Sequence, residues 1–244
     1  MTAMHTGSVA VVTGGARGIG LGCAISLAAK GFSLALVDVL EDELQEATGK
    51  LRATGVQAES FVADVSDFAR AAEVAGDILE RFEAIGVLVN NAGIGSAKGL
   101  LEISEAEWNR TIDVNLKGCF NWSRAVVPSM QARGWGRIVS IASIAAYSGG
   151  TVSKLAYAAS KAGILGMTRS LAKELAPSIA VNAICPGTID SGLAAGTDEA
   201  LKGICLGRLG TPEDIGQVVA FLATVEPNFI TGQTITVDGF QRST

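Results

Sequence analysis

Histidine is nearly absent from this 244-residue sequence: the only one, His5, sits in what reads as an N-terminal tail. That scarcity excludes several kinds of chemistry. A Ser-His-Asp triad would lack its base, and a zinc site of the Cys/His dehydrogenase kind would lack its imidazole. Any catalytic acid or base must therefore be another side chain. The four cysteines, Cys23, Cys119, Cys185 and Cys205, are far apart and form no CxxC pair, which reads as structural thiols in a reducing compartment. No lysine/arginine cluster stands out and the net charge is −5, so nucleic acid is not an expected partner. The opening MTAMHTGSVAVVTGG has no basic stretch, and its short apolar run passes straight into glycines. It reads as a buried strand, not a signal peptide or membrane span. A cytoplasmic location with no membrane partner is the default expectation. Only five prolines stand against thirty glycines, which suits tight turns and close packing more than a linker.

What is present is an alternation. Apolar, β-rich runs occupy 9–13, 33–37, 57–62, 87–89, 137–141, 179–184 and 233–237. Helical patterns at 19–30, 41–54, 68–82, 105–133, 156–175 and 212–223 separate most of them. Thr211 followed by Pro212 is an N-cap with proline at the first helical position. Short apolar strands alternating with helices predict an α/β fold: a doubly wound, Rossmann-type parallel sheet of about seven strands with helices on both faces. The whole of 1–244 is expected to form one domain. Ligands of such sheets bind beyond the carboxyl ends of the strands, so the residues that follow each strand carry the functional reading.

After the first strand comes TGGARGIG, from Thr13 to Gly20. Gly14, Gly18 and Gly20 allow a tight turn and close approach to a pyrophosphate. The helix opening at Gly18 and Ile19 would offer it N–H groups and a positive dipole end. The second strand ends at Asp38, 18 residues past Gly20. A carboxylate there accepts hydrogen bonds from ribose hydroxyls and repels a 2′-phosphate. NAD is therefore the expected cofactor, with Arg17 in the glycine loop as the opposing signal. Asp64, beside Val65 after the third strand, is placed to meet the adenine amino group, while the same turn offers a helix N-cap near Ser66 or Asp67. Asn90, Asn91, Ala92 and Gly93 after the fourth strand supply small residues and amides for the cofactor floor.

Tyr157 and Lys161 are four apart in a helical pattern and share a face. Tyrosine ordinarily ionises near about pH 10, and a nearby ammonium favours the phenolate. The pair makes an acid/base without histidine.

With these residues the sequence resembles the short-chain dehydrogenase/reductase family over essentially its whole length. The matching elements are TGGARGIG, Asp64-Val65, NNAG at 90–93, VNLKG at 114–118, Ser143, YAASK at 157–161 and PGTI at 186–189, in the family's order. The resemblance implies roles. Tyr157 would be the general acid in carbonyl reduction and the base in alcohol oxidation, assisted by Lys161, which would also hold the nicotinamide ribose. Ser143 would hydrogen-bond the substrate oxygen, and Asn115 would hold a water linking Lys161 to solvent. Pro186, Gly187, Thr188 and Ile189 would seat the carboxamide, with Ser191 where the family often has threonine. Ser143 stands 14 residues before Tyr157, one more than is usual in the family; Ser140, Ser148 and Ser153 suit the role less well by register. A short substrate lid is expected at about 188–210. Apolar Ile144, Ala145, Ala146, Val152 and Leu155, with 95–100, suggest a pocket for a neutral small-molecule alcohol or carbonyl compound. The alternative is a 3-oxoacyl-[acyl-carrier-protein] reductase using NADPH, for which Arg133, Arg137, Arg169 and Lys173 would form a basic rim. By resemblance the assembly is a homotetramer, with helices around 105–133 and 156–175 at one interface. No metal is expected.

Overall fold

The computed structural model describes residues 7–150, 154–190, 201 and 203–241. His5, Val152, Ser153, Ser191 and about half of the expected lid, 191–200 and 202, fall outside them. The strands are β1 (Ser8–Thr13), β2 (Ser33–Asp38), β3 (Ala58–Val62), β4 (Ala84–Asn90), β5 (Gly136–Ile141), β6 (Ile179–Pro186) and β7 (Thr234–Val237). They form one sheet in the order β3-β2-β1-β4-β5-β6-β7, and every neighbouring pair is parallel. β1 is buried throughout. Val9 and Val11 join one core cluster and Ala10 and Val12 the other, because successive side chains point to opposite faces. This is why the strand reads as an unbroken apolar run.

The helices are α1 (Gly18–Ala28), α2 (Glu41–Arg52), α3 (Phe68–Arg81), α4 (Glu105–Ile112), α5 (Gly118–Arg133), α6 (Ala145–Ser148), α7 (Leu155–Glu174) and α8 (Pro212–Thr224). Leu27, Leu44 and Val219 from α1, α2 and α8 pack on one face of the sheet. Val74, Trp122, Val126 and Met130 from α3 and α5, with Ala172 from α7, pack on the other. Each large apolar side chain buried in this way contributes roughly 1.5–3 kcal/mol. Helix starts follow their capping residues. Thr211 accepts from the Asp214 N–H and Asp214 accepts from the Thr211 N–H, a reciprocal box that opens α8 at Pro212. Ser104 and Glu107 do the same for α4.

Three elements differ from the sequence reading. β4 begins three residues before the expected 87, because Gly86 does not break it. A Cβ on Gly86 would stand 2.6 Å from the Ser8 Cβ and 2.7 Å from the Trp135 ring, so close packing, not a turn, requires the glycine. The helix expected over 105–133 is interrupted by a π turn, Asp113–Lys117, between α4 and α5. The short α6 was not foreseen. Among the described residues, no helix is long and apolar enough to cross a membrane.

Candidate active site

The strand order reverses between β1 and β4, and there the carboxyl ends open into a cleft of about 680 Å³. Of the residues expected to serve the site, Gly14, Arg17, Gly18, Ile19, Asp38, Asp64, Val65, Asn91, Ala92, Gly93, Ser143, Tyr157, Lys161, Pro186, Gly187 and Ile189 all line it.

At one end lies the glycine loop. Asn91 Nδ2 donates to the carbonyls of Thr13 and Gly14, both at 3.0 Å, tying the loop to the end of β4. Gly20 lies just behind the wall, where a Cβ would come within 2.0 Å of the Gly14 carbonyl oxygen. Arg17 occupies the N-cap of α1 and makes no side-chain cap bond. Gly18 and Ile19 line the cleft, so the first turn of that helix, whose leading N–H groups have no side-chain cap, borders it. Asp38 closes the end of β2: Oδ2 accepts from the Ala16 N–H at 3.1 Å, and Oδ1 from Val39 and Leu40 at 2.8 and 3.2 Å. These bonds fix the carboxylate against the glycine loop. The cradle, the uncapped helix start and the carboxylate together fit a nicotinamide dinucleotide.

Asp64 follows β3. Its Oδ1 accepts from the N–H of Ser66 at 2.9 Å and from its hydroxyl at 2.7 Å, and Oδ2 pairs with Arg110 at 2.9 Å. Partial burial works against the charge, but the bonds from Ser66 and Arg110 outweigh it and hold the carboxyl below its usual range. Asp67 takes the N-cap, accepting from Arg70 N at 3.0 Å, so Asp64 is left to the cleft.

At the other end, α7 places Tyr157 and Lys161 on one face. The Lys161 ammonium lies 5.6 Å from the Tyr157 ring centre and donates to the Ile141 carbonyl at 2.8 Å. Ser143 Oγ accepts from the Ala145 N–H at 3.1 Å, an arrangement that leaves its own proton to donate. Ser140 is buried against Asn90, and Ser148 bonds back to the Ile144 carbonyl, so of these serines Ser143 alone lines the cleft.

Of the residues expected for the cofactor or the chemistry, Gly20, Asn90, Thr188 and Asn115 do not line it, nor do Ile144, Ala145, Ala146 and Leu155 from the expected substrate wall. Thr188 turns to Gln241, which accepts from its N–H at 2.8 Å. Asn115 is completely buried in the π turn. Its Oδ1 accepts from Ile94 N at 2.8 Å, and its Nδ2 donates to the Ile94 carbonyl and to Ser160 Oγ, each at 3.0 Å. The side chain thus clamps the segment after β4. A π turn also loosens the helical hydrogen-bond pattern at this point, a frequent device near functional sites.

Sequence reasoning missed Arg110, Ile94 and Val114, which also line the cleft. Ile94 continues the NNAG segment and was within reach, whereas Arg110 carries no local signal. Arg137 is corrected: it is 5% exposed, paired with Glu226, and cannot belong to a basic rim. Among the thiols, Cys23, Cys119 and Cys185 are buried and Cys205 is exposed. Burial pushes the Cys23 thiol up to about 12 and Cys119 to about 11, so both stay protonated and inert.

The chain is similar to known proteins over nearly its whole length. A family model described as enoyl-(acyl carrier protein) reductase matches residues 14–239. The 3-oxoacyl-[acyl-carrier-protein] reductase FabG of Thermotoga maritima is 38% identical over 96% of this chain and 97% of its own. The short-chain reductase protein NovJ of Streptomyces niveus is 38% identical over 95% of this chain and 93% of its own. The crystal structure of a short-chain dehydrogenase/reductase, glucose/ribitol dehydrogenase, from Brucella melitensis superposes with a TM-score of 0.88 at 36% identity, covering 98% of both chains.

Proposed function

The chain belongs to the short-chain dehydrogenase/reductase family and is an oxidoreductase acting on carbonyl or hydroxyl groups, and on that basis we propose that it interconverts a secondary alcohol, or a polyol, and a ketone with NAD(H). One observation carries this reading: a single cleft presents Asp38 at its ribose end and Ser143, Tyr157 and Lys161 at its reacting end. When bound, the nicotinamide supplies or accepts the hydride. In carbonyl reduction the Tyr157 hydroxyl gives its proton to the substrate oxygen. Ser143 donates a hydrogen bond to the same oxygen, where negative charge develops. Lys161, held by the Ile141 carbonyl, places its charge where it stabilises the phenolate left behind. Alcohol oxidation runs the same steps in reverse. Asn115 acts by fixing Ile94 and the floor beside Lys161. Among the described residues, the walls near the reacting end are Ile94, Gly95, Ile141 and Ala142, with Lys161 as the cation there, which suits a neutral substrate.

A second reading, 3-oxoacyl-[acyl-carrier-protein] reduction with NADPH, is favoured by the name of the Thermotoga maritima relative. The two separate on cofactor choice. Titrating NADH and NADPH by fluorescence is expected to give NADH an advantage of about tenfold or more, because a partly desolvated carboxylate at Asp38 repels a 2′-phosphate. Asp38→Ala is expected to narrow that gap. Preference for NADPH in the unaltered protein would put the acyl-carrier reading first.

The assembly is proposed to be a homotetramer. α5 carries Phe120, 46% exposed, with its ring stacked at 6.2 Å on Phe68 of α3, an apolar pair suited to burial against another subunit. Light scattering is expected to give the tetramer mass; a stable monomer at micromolar concentration would sink the idea.

A further inference from the structure

We infer that Arg110 is a positioning residue for adenine recognition: it holds the Asp64 carboxylate as the acceptor for the exocyclic amino group of the base. This rests on the reading that a nicotinamide adenine dinucleotide lies along the cleft with its adenine at Asp64. Arg110 comes from α4 and Asp64 from the turn after β3, and both line the cleft. Arg110 Nη2 stands 2.9 Å from Asp64 Oδ2, and Nη1 donates to Ser66 Oγ at 3.0 Å. Ser66 in turn donates to Asp64 Oδ1 through both its hydroxyl and its N–H. The three residues close a ring of hydrogen bonds.

A carboxylate has about four acceptor positions. Ser66 fills the two on Oδ1 and Arg110 one on Oδ2, which leaves a single acceptor held in a fixed orientation. An amino group can use it, whereas a carbonyl at the same ring position meets oxygen facing oxygen. The pair does little as a staple. Arg110 is half-exposed and Asp64 more than a third exposed, and ion pairs of that kind contribute little to stability. Its position on the cleft is what gives it a use.

The test compares NADH with reduced nicotinamide hypoxanthine dinucleotide, which carries a carbonyl in place of the amino group, by fluorescence titration. The unaltered protein is expected to favour NADH by about tenfold, the worth of one hydrogen bond to a charged acceptor. Arg110→Met narrows that ratio to about threefold or less, because Asp64 Oδ2 is then free to turn and hydrate. Arg110→Lys, which keeps the charge, retains more of the ratio. Asp64→Asn erases it, since an amide can turn either its oxygen or its nitrogen toward the base. If Arg110→Met weakens both dinucleotides by the same factor and keeps the ratio, Arg110 is merely structural and the proposal fails. If Asp64→Asn also keeps the ratio, the placement of adenine at Asp64 fails with it. A ratio narrowed by Asp64→Asn but not by Arg110→Met sinks the role of Arg110 alone.

Discussion

Tyr157→Phe is expected to lower kcat by about a thousandfold, within the range that a positioned general acid or base contributes, while the affinity for NADH changes little. The substitution removes one oxygen and keeps the ring. Lys161 stays anchored to the Ile141 carbonyl, and Ser143 keeps its bond from Ala145, so the cleft holds its shape. What is lost is the only proton donor proposed for the substrate oxygen. Steady-state kinetics beside an NADH titration separates the two effects. A variant that keeps more than about a tenth of the activity would mean the proton comes from another group.

Gly20→Ala should be as damaging by a different route. Its Cβ would stand 2.0 Å from the Gly14 carbonyl oxygen and 2.6 Å from Asn91 Nδ2. Neither can yield cheaply: the first is backbone, and the second is held by the carbonyls of Thr13 and Gly14. The glycine loop must move away from α1, and the strain is expected to cost about 3 kcal/mol of stability. NADH affinity should fall by about a hundredfold, as expected when positioning groups shift by about an ångström. Gly76→Ala is the control. That glycine lies within α3 with nothing within 4 Å of the added Cβ, and alanine there is expected to stabilise the helix by about 0.5–1 kcal/mol. Denaturant unfolding of both variants checks the contrast; equal effects would mean that the close approach at Gly20 is not what matters.

The features legible in the sequence were those written along the chain. A parallel sheet covered on both faces leaves strands such as β1 apolar on both sides, so the alternation was visible at once. Tyr157 and Lys161 are one helical turn apart, and Asp38 closes a strand; in both cases local spacing located the residue. What escaped notice depended on contacts across the fold. Arg110 reaches Asp64 from another element, and nothing near either residue in the sequence announces the pairing. Arg137 reads as a surface cation until β5 buries it against Glu226. Gly86 reads as a breaker until the Trp135 ring is seen against it. Asn115 was found by its motif, but its partners, Ile94 and Ser160, belong to other segments, so its part as a clamp could not be read.

The π turn Asp113–Lys117 also constrains how this chain can change. One additional residue in a helical turn rotates everything downstream by about 100°. Trp122, Val126 and Met130 all lie in the core, so the phase in which α5 leaves the turn is the one that buries them. Deleting a residue anywhere in the turn would restore an unbroken helix and swing all three toward solvent. The wide turn is therefore fixed from both sides, by Asn115 within it and by a core face beyond it. A lineage that inherits it cannot shorten it without rebuilding a whole layer of packing.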